Sequence, residues 1–266
     1  MNGKGFVSLV GAGPGDADLM TVKAVRLLQQ ADVVVYDRLV SSGILKLIPA
    51  GVSRISVGKE VGRHCVPQDK INETIVSLAR TGRHVVRLKG GDPFMFGRGG
   101  EEAMMLKKHR IAFEIVPGIT AASGCTTYSG IPLTHRGLSR RVQFITGHFN
   151  DDEPVDLNWE SIADADSTLV IYMGLANIDL ITTKLMQAGL EAETPAAVIE
   201  NGTKDTHRRL VTTLSQLAAL TQAEKLQAPV IFVIGKVVSL ADQLDWFIAE
   251  QVSGQAYSEE AHPTYA

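Results

Sequence analysis

Short apolar, β-branched runs alternate with runs that carry apolar residues at helical spacing. This alternation restricts the chain to crossover-connected, mainly parallel sheets. The strand-like runs lie at 5–10, 33–36, 53–57, 83–88 and 113–116. Between them Leu19, Val22, Val25 and Leu28 fall on one helical face, and Ile71, Ile75 and Leu78 stripe a helix over 68–80. A further helix is expected over 100–109. The pattern pauses from 117 to 140, where glycine, serine, threonine and proline crowd together. It resumes with strand-like runs at 142–146, 168–172, 196–200, 210–213 and 230–234, and helical runs at 179–187 and 214–220. Two α/β domains, 1–117 and 118–250, are the simplest reading, followed by a polar, aperiodic tail at 251–266 that is expected to be mobile.

Composition narrows the function. The 266 residues are ample for two such cores, and a net charge of −3 argues against a general nucleic-acid binder. No apolar run is long enough to span a bilayer, and Met1-Asn2-Gly3-Lys4 does not begin a signal peptide, so a cytoplasmic protein without a membrane partner is expected. The two cysteines, Cys65 and Cys125, form no CxxC, and the seven histidines show no metal-ligand spacing, so no metal is expected. The absence of a Gly-x-Ser-x-Gly elbow removes the commonest hydrolase signature.

Two glycine-rich loops follow strand-like runs, where open α/β sheets bind ligands. The first is Gly11-Ala12-Gly13-Pro14-Gly15-Asp16. A dinucleotide fingerprint needs a glycine where Asp16 stands, and Pro14 removes an N–H that a pyrophosphate would use. The loop therefore suits close approach of a ligand other than a phosphate; alternatively it is a tight turn in which Asp16 or Asp18 caps the next helix. The second loop runs from Leu88 to Glu102 and contains Gly90-Gly91-Asp92-Pro93, Gly97-Arg98-Gly99-Gly100 and the acid pair Glu101-Glu102. Five glycines exceed what a connection needs, and they leave backbone groups bare beside fixed charges.

Several charged residues flank these loops. Asp37 ends the second strand, where it can contact a ribose, act as a general base or cap a helix. Lys59, Arg63, Lys89, Arg98, Arg136, Arg140 and Arg141 can together form a basic cleft for a small polyanion, or scatter over the surface. An NAD-linked oxidoreductase and a non-catalytic carrier are the competing readings.

In order along the chain, Val10 to Asp16, Val34 to Val40, Val57-Gly58-Lys59, Arg87 to Glu102, Val116 to Gly124, Tyr128 to Arg136, Ile145 to His148, Tyr172-Met173-Gly174 and Glu200 to Thr203 resemble the tetrapyrrole methylase family. Within that family, the long second loop and the Tyr128 to Arg136 run resemble the branch that acts on uroporphyrinogen III. The resemblance implies two α/β domains with the active site in the cleft between them. It implies S-adenosyl-L-methionine (SAM) as co-substrate, held by Pro14, Gly90, Gly91, Asp92, Met95, Thr120, Ala121, Met173 and Gly202. It assigns Asp37 as proton acceptor and Lys59 as proton donor, and adds Arg98 and Glu101 to the catalytic group. Arg63, His64, Arg136, Arg140 and Arg141 are the expected receptors for the substrate's carboxylates. The implied reaction is methylation of uroporphyrinogen III at C2 and C7 to precorrin-2, with two S-adenosylhomocysteines (SAH) released, for siroheme, cobalamin or haem d1 synthesis. A homodimer is implied as well. The chain does not carry the NAD-dependent module that precedes this domain in fused relatives, so only the methylation step is expected of it.

Overall fold

The computed structural model describes residues 5–58, 66–148 and 157–247. In the first half, β1 (Phe6–Gly11), α1 (Val22–Gln29), β2 (Val33–Tyr36), α2 (Ser42–Lys46), β3 (Ser53–Ser56), α3 (Gln68–Arg80), β4 (His84–Lys89), α4 (Gly99–Lys108) and β5 (Ala112–Val116) follow in order. Every pairing is parallel, in the order β3-β2-β4-β1-β5. The second half contains α5 (Ala121–Tyr128), β6 (Arg141–Thr146), α6 (Trp159–Ile162), β7 (Ser167–Tyr172), α7 (Ile178–Gln187), β8 (Pro195–Glu200), β9 (Arg208–Thr213), α8 (Leu217–Ala223) and β10 (Val230–Ile234).

The expected α/β class holds, and parallel pairing predominates over the two sheets together. The second sheet is mixed, in the order β6-β7-β10-β8-β9. There β6 and β7 are parallel, while β10 runs antiparallel to both β7 and β8, and β9 antiparallel to β8. Only residues 201–207 separate β8 from β9. A parallel return needs a crossover of about a dozen residues or more, so β9 folds back directly. No helix among the described residues is long and apolar enough to cross a membrane.

Both faces of the first sheet are covered, as a parallel sheet requires. Val10, Val34, Val86 and Leu88 pack with Ala24, Leu27 and Leu28 of α1. On the other face Val7, Leu9, Val33 and Val85 pack with Ile71 and Ile75 of α3 and Ala103 and Leu106 of α4. The expected apolar face of α1 needs correction. Thr21 caps this helix by accepting from the Ala24 amide, and Leu19 lies in the preceding turn. Counting from Leu19 is therefore out of phase: Val22 is 86% exposed, while Leu27 and Leu28 are buried, each contributing about 1.5–3 kcal/mol. The helix α5 was not expected at all. Gly124, Ser123 and Thr126 are poor helix formers, but Ala122 and Cys125 bury against Val170, Ala197 and Ile231 of the second sheet.

This topology sets where a ligand binds. β1 and β4 are parallel neighbours, yet the chain leaves β1 toward α1 on one face and leaves β4 toward α4 on the other. Diverging connections from adjacent strands open a crevice at their carboxyl ends.

Candidate active site

The crevice gathers most of the residues singled out by sequence. Asp37 follows β2, Gly90-Gly91-Asp92 follow β4, the first glycine loop follows β1, and Gly118 follows β5. The two glycine loops are stitched together where they emerge. Ala12 N–H donates to the Lys89 carbonyl at 2.7 Å, Gly13 N–H to the Gly91 carbonyl at 3.1 Å, and Gly91 N–H to the Gly13 carbonyl at 2.7 Å. Gly91 adopts φ +68°, which strongly favours glycine. The Asp92 carboxylate is occupied by backbone, accepting from Phe94 N–H at 2.8 Å and Gly118 N–H at 3.0 Å. Asp92 thus holds the loop in shape. A methyl group on Gly118 would press on the Gly91 carbonyl and lie 2.8 Å from Gly11 Cα. Gly118→Ala is accordingly expected to cost about 1–3 kcal/mol of stability, read as a lowered midpoint in urea; an unchanged midpoint would contradict this backbone-on-backbone packing.

The second half closes on the same place. Tyr172, at the end of β7, has its hydroxyl 2.6 Å from Thr120 Oγ1 and accepts from Ala122 N–H at 2.9 Å. Its ring lies 4.9 Å from that of Phe96 in the second glycine loop. Met173, next along, is half exposed at φ +55°. Gly202 is buried against Cys125 of α5, and burial pushes the Cys125 thiol up to about 12. Pro14 packs on the same helix, where a methyl on Gly124 would lie 2.5 Å from Pro14 Cγ. Pro14, Gly91, Thr120, Ala121, Met173 and Gly202 therefore border one region, contributed by both halves.

Asp37 is positioned from both sides. Its Oδ1 accepts from Leu39 N–H at 3.0 Å, and Ser41 caps α2, so the helix-cap reading of Asp37 gives way to a local turn. Its Oδ2 lies 3.7 Å from an Arg87 Nη. Arg87, Lys89 and Glu102 are 2%, 3% and 1% exposed. Glu102 Oε1 accepts from Arg87 Nε at 3.1 Å, Lys89 Nζ at 3.0 Å and Gln68 Nε2 at 3.1 Å. Its Oε2 is buried with no partner among the described residues. Burial, and then the Arg87 guanidinium, hold the Lys89 ammonium below the usual lysine range. This cluster escaped the sequence reading. Its signal was the i, i+2 spacing of two cations on a buried strand, which puts both on one face and demands an acid there.

Arg98 and Glu101 stand at the mouth of the loop, at the N-terminus of α4. Arg98 Nε and one Nη donate to the two Glu101 carboxylate oxygens, both at 2.7 Å. That hydrogen-bonded pairing raises Arg98 above the ordinary arginine value and lowers Glu101 below the ordinary glutamate value. Arg98 is thus a cation suited to holding a carboxylate rather than a base.

Among the described residues, Arg136, Arg140 and Arg141 do not form one wall with Lys89 and Arg98. Arg140 and Arg141 sit at the amino end of β6, opposite the end of the sheet where Tyr172 meets Thr120. Arg141 is paired with Asp164. Arg136 is exposed in the turn closed by the His135–Ser139 bridge. Lys59, Arg63, His64 and the expected tail at 251–266 lie outside the described residues. Asp16 caps the short turn before α1, accepting from Asp18 N–H at 2.9 Å, rather than capping α1 itself. Among the described residues, no group of three or more His, Cys, Asp or Glu side chains is placed to hold a metal ion.

Comparison with known proteins adds to this geometry. Residues 7–218 match the family model for tetrapyrrole (corrin/porphyrin) methylases. A siroheme synthase of Stutzerimonas stutzeri is 51% identical over 94% of this chain, which spans 54% of that protein; the chain thus covers about half the length of the curated relatives it matches. The structure of uroporphyrin-III C-methyltransferase from Thermus thermophilus is 39% identical, with a TM-score of 0.75 over 91% of this chain and 96% of that one. The same Thermus enzyme solved with S-adenosylhomocysteine is 37% identical, also with a TM-score of 0.75, over 88% and 93% of the two chains.

Proposed function

The chain is a methyltransferase of the tetrapyrrole (corrin/porphyrin) methylase family, and we propose that it moves methyl groups from SAM to C2 and C7 of uroporphyrinogen III. The products are precorrin-2 and two SAH, which serve siroheme, cobalamin or haem d1 synthesis. One observation carries this reading. The Gly13–Gly91 bridge sets two bare-backbone loops side by side in the crevice, with Pro14 and Asp16 where a phosphate would need N–H groups and no negative charge. Such a place suits a zwitterionic sulfonium. The SAH complex of the Thermus relative supports the same donor.

SAM supplies an electrophilic methyl group on a positively charged sulfur. The residues of this chain do the rest. Pro14, Gly90, Gly91, Asp92, Met95, Thr120, Ala121, Met173 and Gly202 hold the donor, largely through backbone. Arg98, presented by the same loop and reinforced by Glu101, holds a substrate carboxylate and orients the macrocycle toward the donor. Asp37 accepts the proton displaced as the macrocycle's electrons rearrange; Arg87, anchored on Glu102, fixes the direction of its carboxylate. Lys59 is the proton donor for a shift of a proton between ring positions, which leaves the net release of one proton per methyl unchanged, and Arg63 and His64 receive further carboxylates. Uroporphyrinogen III is already a carbon nucleophile, so positioning supplies much of the acceleration.

Calorimetric titration separates this reading from a nicotinamide-dependent one. SAM and SAH are expected to bind with one site per chain while NADH does not; NADH binding without SAM binding would overturn the donor assignment.

A further inference from the structure

A hydrogen-bonded circuit outside the reacting groups ties the two halves together next to the donor site. Asp16, in the first glycine loop, donates its N–H to Thr203 Oγ1 at 3.0 Å and accepts at Oδ2 from the Tyr128 hydroxyl at 2.8 Å. Thr203 in turn donates its N–H to His207 Nδ1 at 3.1 Å. An amide can only donate, so Nδ1 is the unprotonated ring nitrogen and Nε2–H donates to Ser129 Oγ at 3.2 Å. Ser129 directly follows Tyr128, which closes the circuit. The return segment after β10, residues 241–247, covers it. Trp246 meets Tyr128 edge-on at 5.1 Å and Phe247 meets it tilted at 4.8 Å, Phe247 meets the His207 ring at 5.3 Å, and Trp246 Nε1 donates to the Thr127 carbonyl at 2.9 Å.

Position gives the circuit meaning. Pro14 lies two residues before Asp16, and Gly202 lies immediately before Thr203. These loops belong to different halves and pack on consecutive residues of α5, Pro14 against Gly124 and Gly202 against Cys125. Thr203 also holds φ +67°, a conformation that a β-branched residue adopts only when its surroundings impose it. In that conformation its N–H meets the His207 acceptor and its Oγ1 the Asp16 donor.

We propose that Asp16, Tyr128, Thr203 and His207 form a latch that sets the spacing of the Pro14 and Gly202 loops, with His207 as its positioning residue. The proposal rests on the reading that these loops hold SAM. The latch needs neutral imidazole. Burial, and then Arg209 on β9, hold His207 below the usual histidine value, while Asp245 on the return segment opposes them. The latch is therefore intact above that depressed value. It opens as pH falls through it, because a proton on Nδ1 would face the Thr203 N–H.

The test uses the full chain, with SAH as probe, at pH about 8 and at the lower pH where an acid titration of the wild type shows its SAH binding lost, together with amide hydrogen exchange without ligand. His207→Phe removes the acceptor; His207→Asn places an amide oxygen near the position of Nδ1 but does not titrate. The expected results are protected Asp16 and Thr203 amides in the wild type and lost protection in His207→Phe. SAH binding should weaken about tenfold in His207→Phe, while kcat at saturating donor changes far less than KM. His207→Asn should bind SAH like the wild type at the higher pH and escape the wild type's loss at the lower one. Wild-type SAH affinity in His207→Phe with both amides still protected would overturn the latch, as would an unaltered acid loss in His207→Asn. If the wild type binds no SAH yet shows His207-dependent protection, the latch stands and the donor reading fails.

Discussion

Glu102→Gln is expected to destabilise the protein by about 3–5 kcal/mol, although the side chain keeps its shape. The carboxylate sits 3.1 Å from Arg87 Nε and 3.0 Å from Lys89 Nζ in a nearly solvent-free site. An amide oxygen can still accept a hydrogen bond there, but it leaves two buried cations with Asp37, 3.7 Å from Arg87, as the one carboxylate still paired with either among the described residues. Lys89 has an escape, since burial already favours its neutral form. Loss of its proton would pull the cost toward the lower end of the range. Removing that second cation should therefore restore part of the stability, and Glu102→Gln combined with Lys89→Met is expected to be more stable than Glu102→Gln alone. Urea unfolding reads both. A loss under about 1 kcal/mol would be the value of an exposed ion pair, and would contradict a dry cluster behind Asp37.

Asp37→Asn is expected to lower kcat by about 10²–10⁴-fold, the usual cost of removing a general base, with SAH affinity unchanged. The replacement amide keeps an oxygen for the Leu39 N–H, so the turn after β2 survives. What disappears is the charge that Arg87 holds in place and the capacity to take a proton. Steady-state kinetics with saturating donor, paired with SAH titration, separates the two effects. Equal losses in kcat and in SAH affinity would assign Asp37 to donor binding and leave the proton acceptor unidentified.

These two sites show how far the sequence could be read. Asp37, Gly90, Gly91 and Asp92 were legible because strand ends in an alternating α/β chain converge on one edge, and glycine pairs at that edge have few other uses. The strand β2 and the helix α3 followed from simple periodicity. The Glu102 cluster was not legible, because it depends on which helix covers which sheet face; spacing along β4 shows two cations on one side but not the acid that meets them. The helix α5 was missed because Gly124 and its neighbours are chosen for the close approach of Pro14, against local propensity. The direction of β8, β9 and β10 also lay beyond periodicity, which fixes a strand's faces but not its partner. The placement of Arg140 and Arg141 was not legible for the same reason: they are near Tyr128 to Arg136 in sequence, yet β6 carries them to the far end of its sheet.

Anaerobic incubation of the folded protein with SAM and uroporphyrinogen III, followed by mass spectrometry of the tetrapyrroles, decides whether this crevice brings methyl donor and macrocycle together. Products carrying one and then two added methyl groups, with SAH formed in step, are expected. Protein that binds SAM and uroporphyrinogen III but returns the macrocycle unmethylated would contradict the proposed reaction.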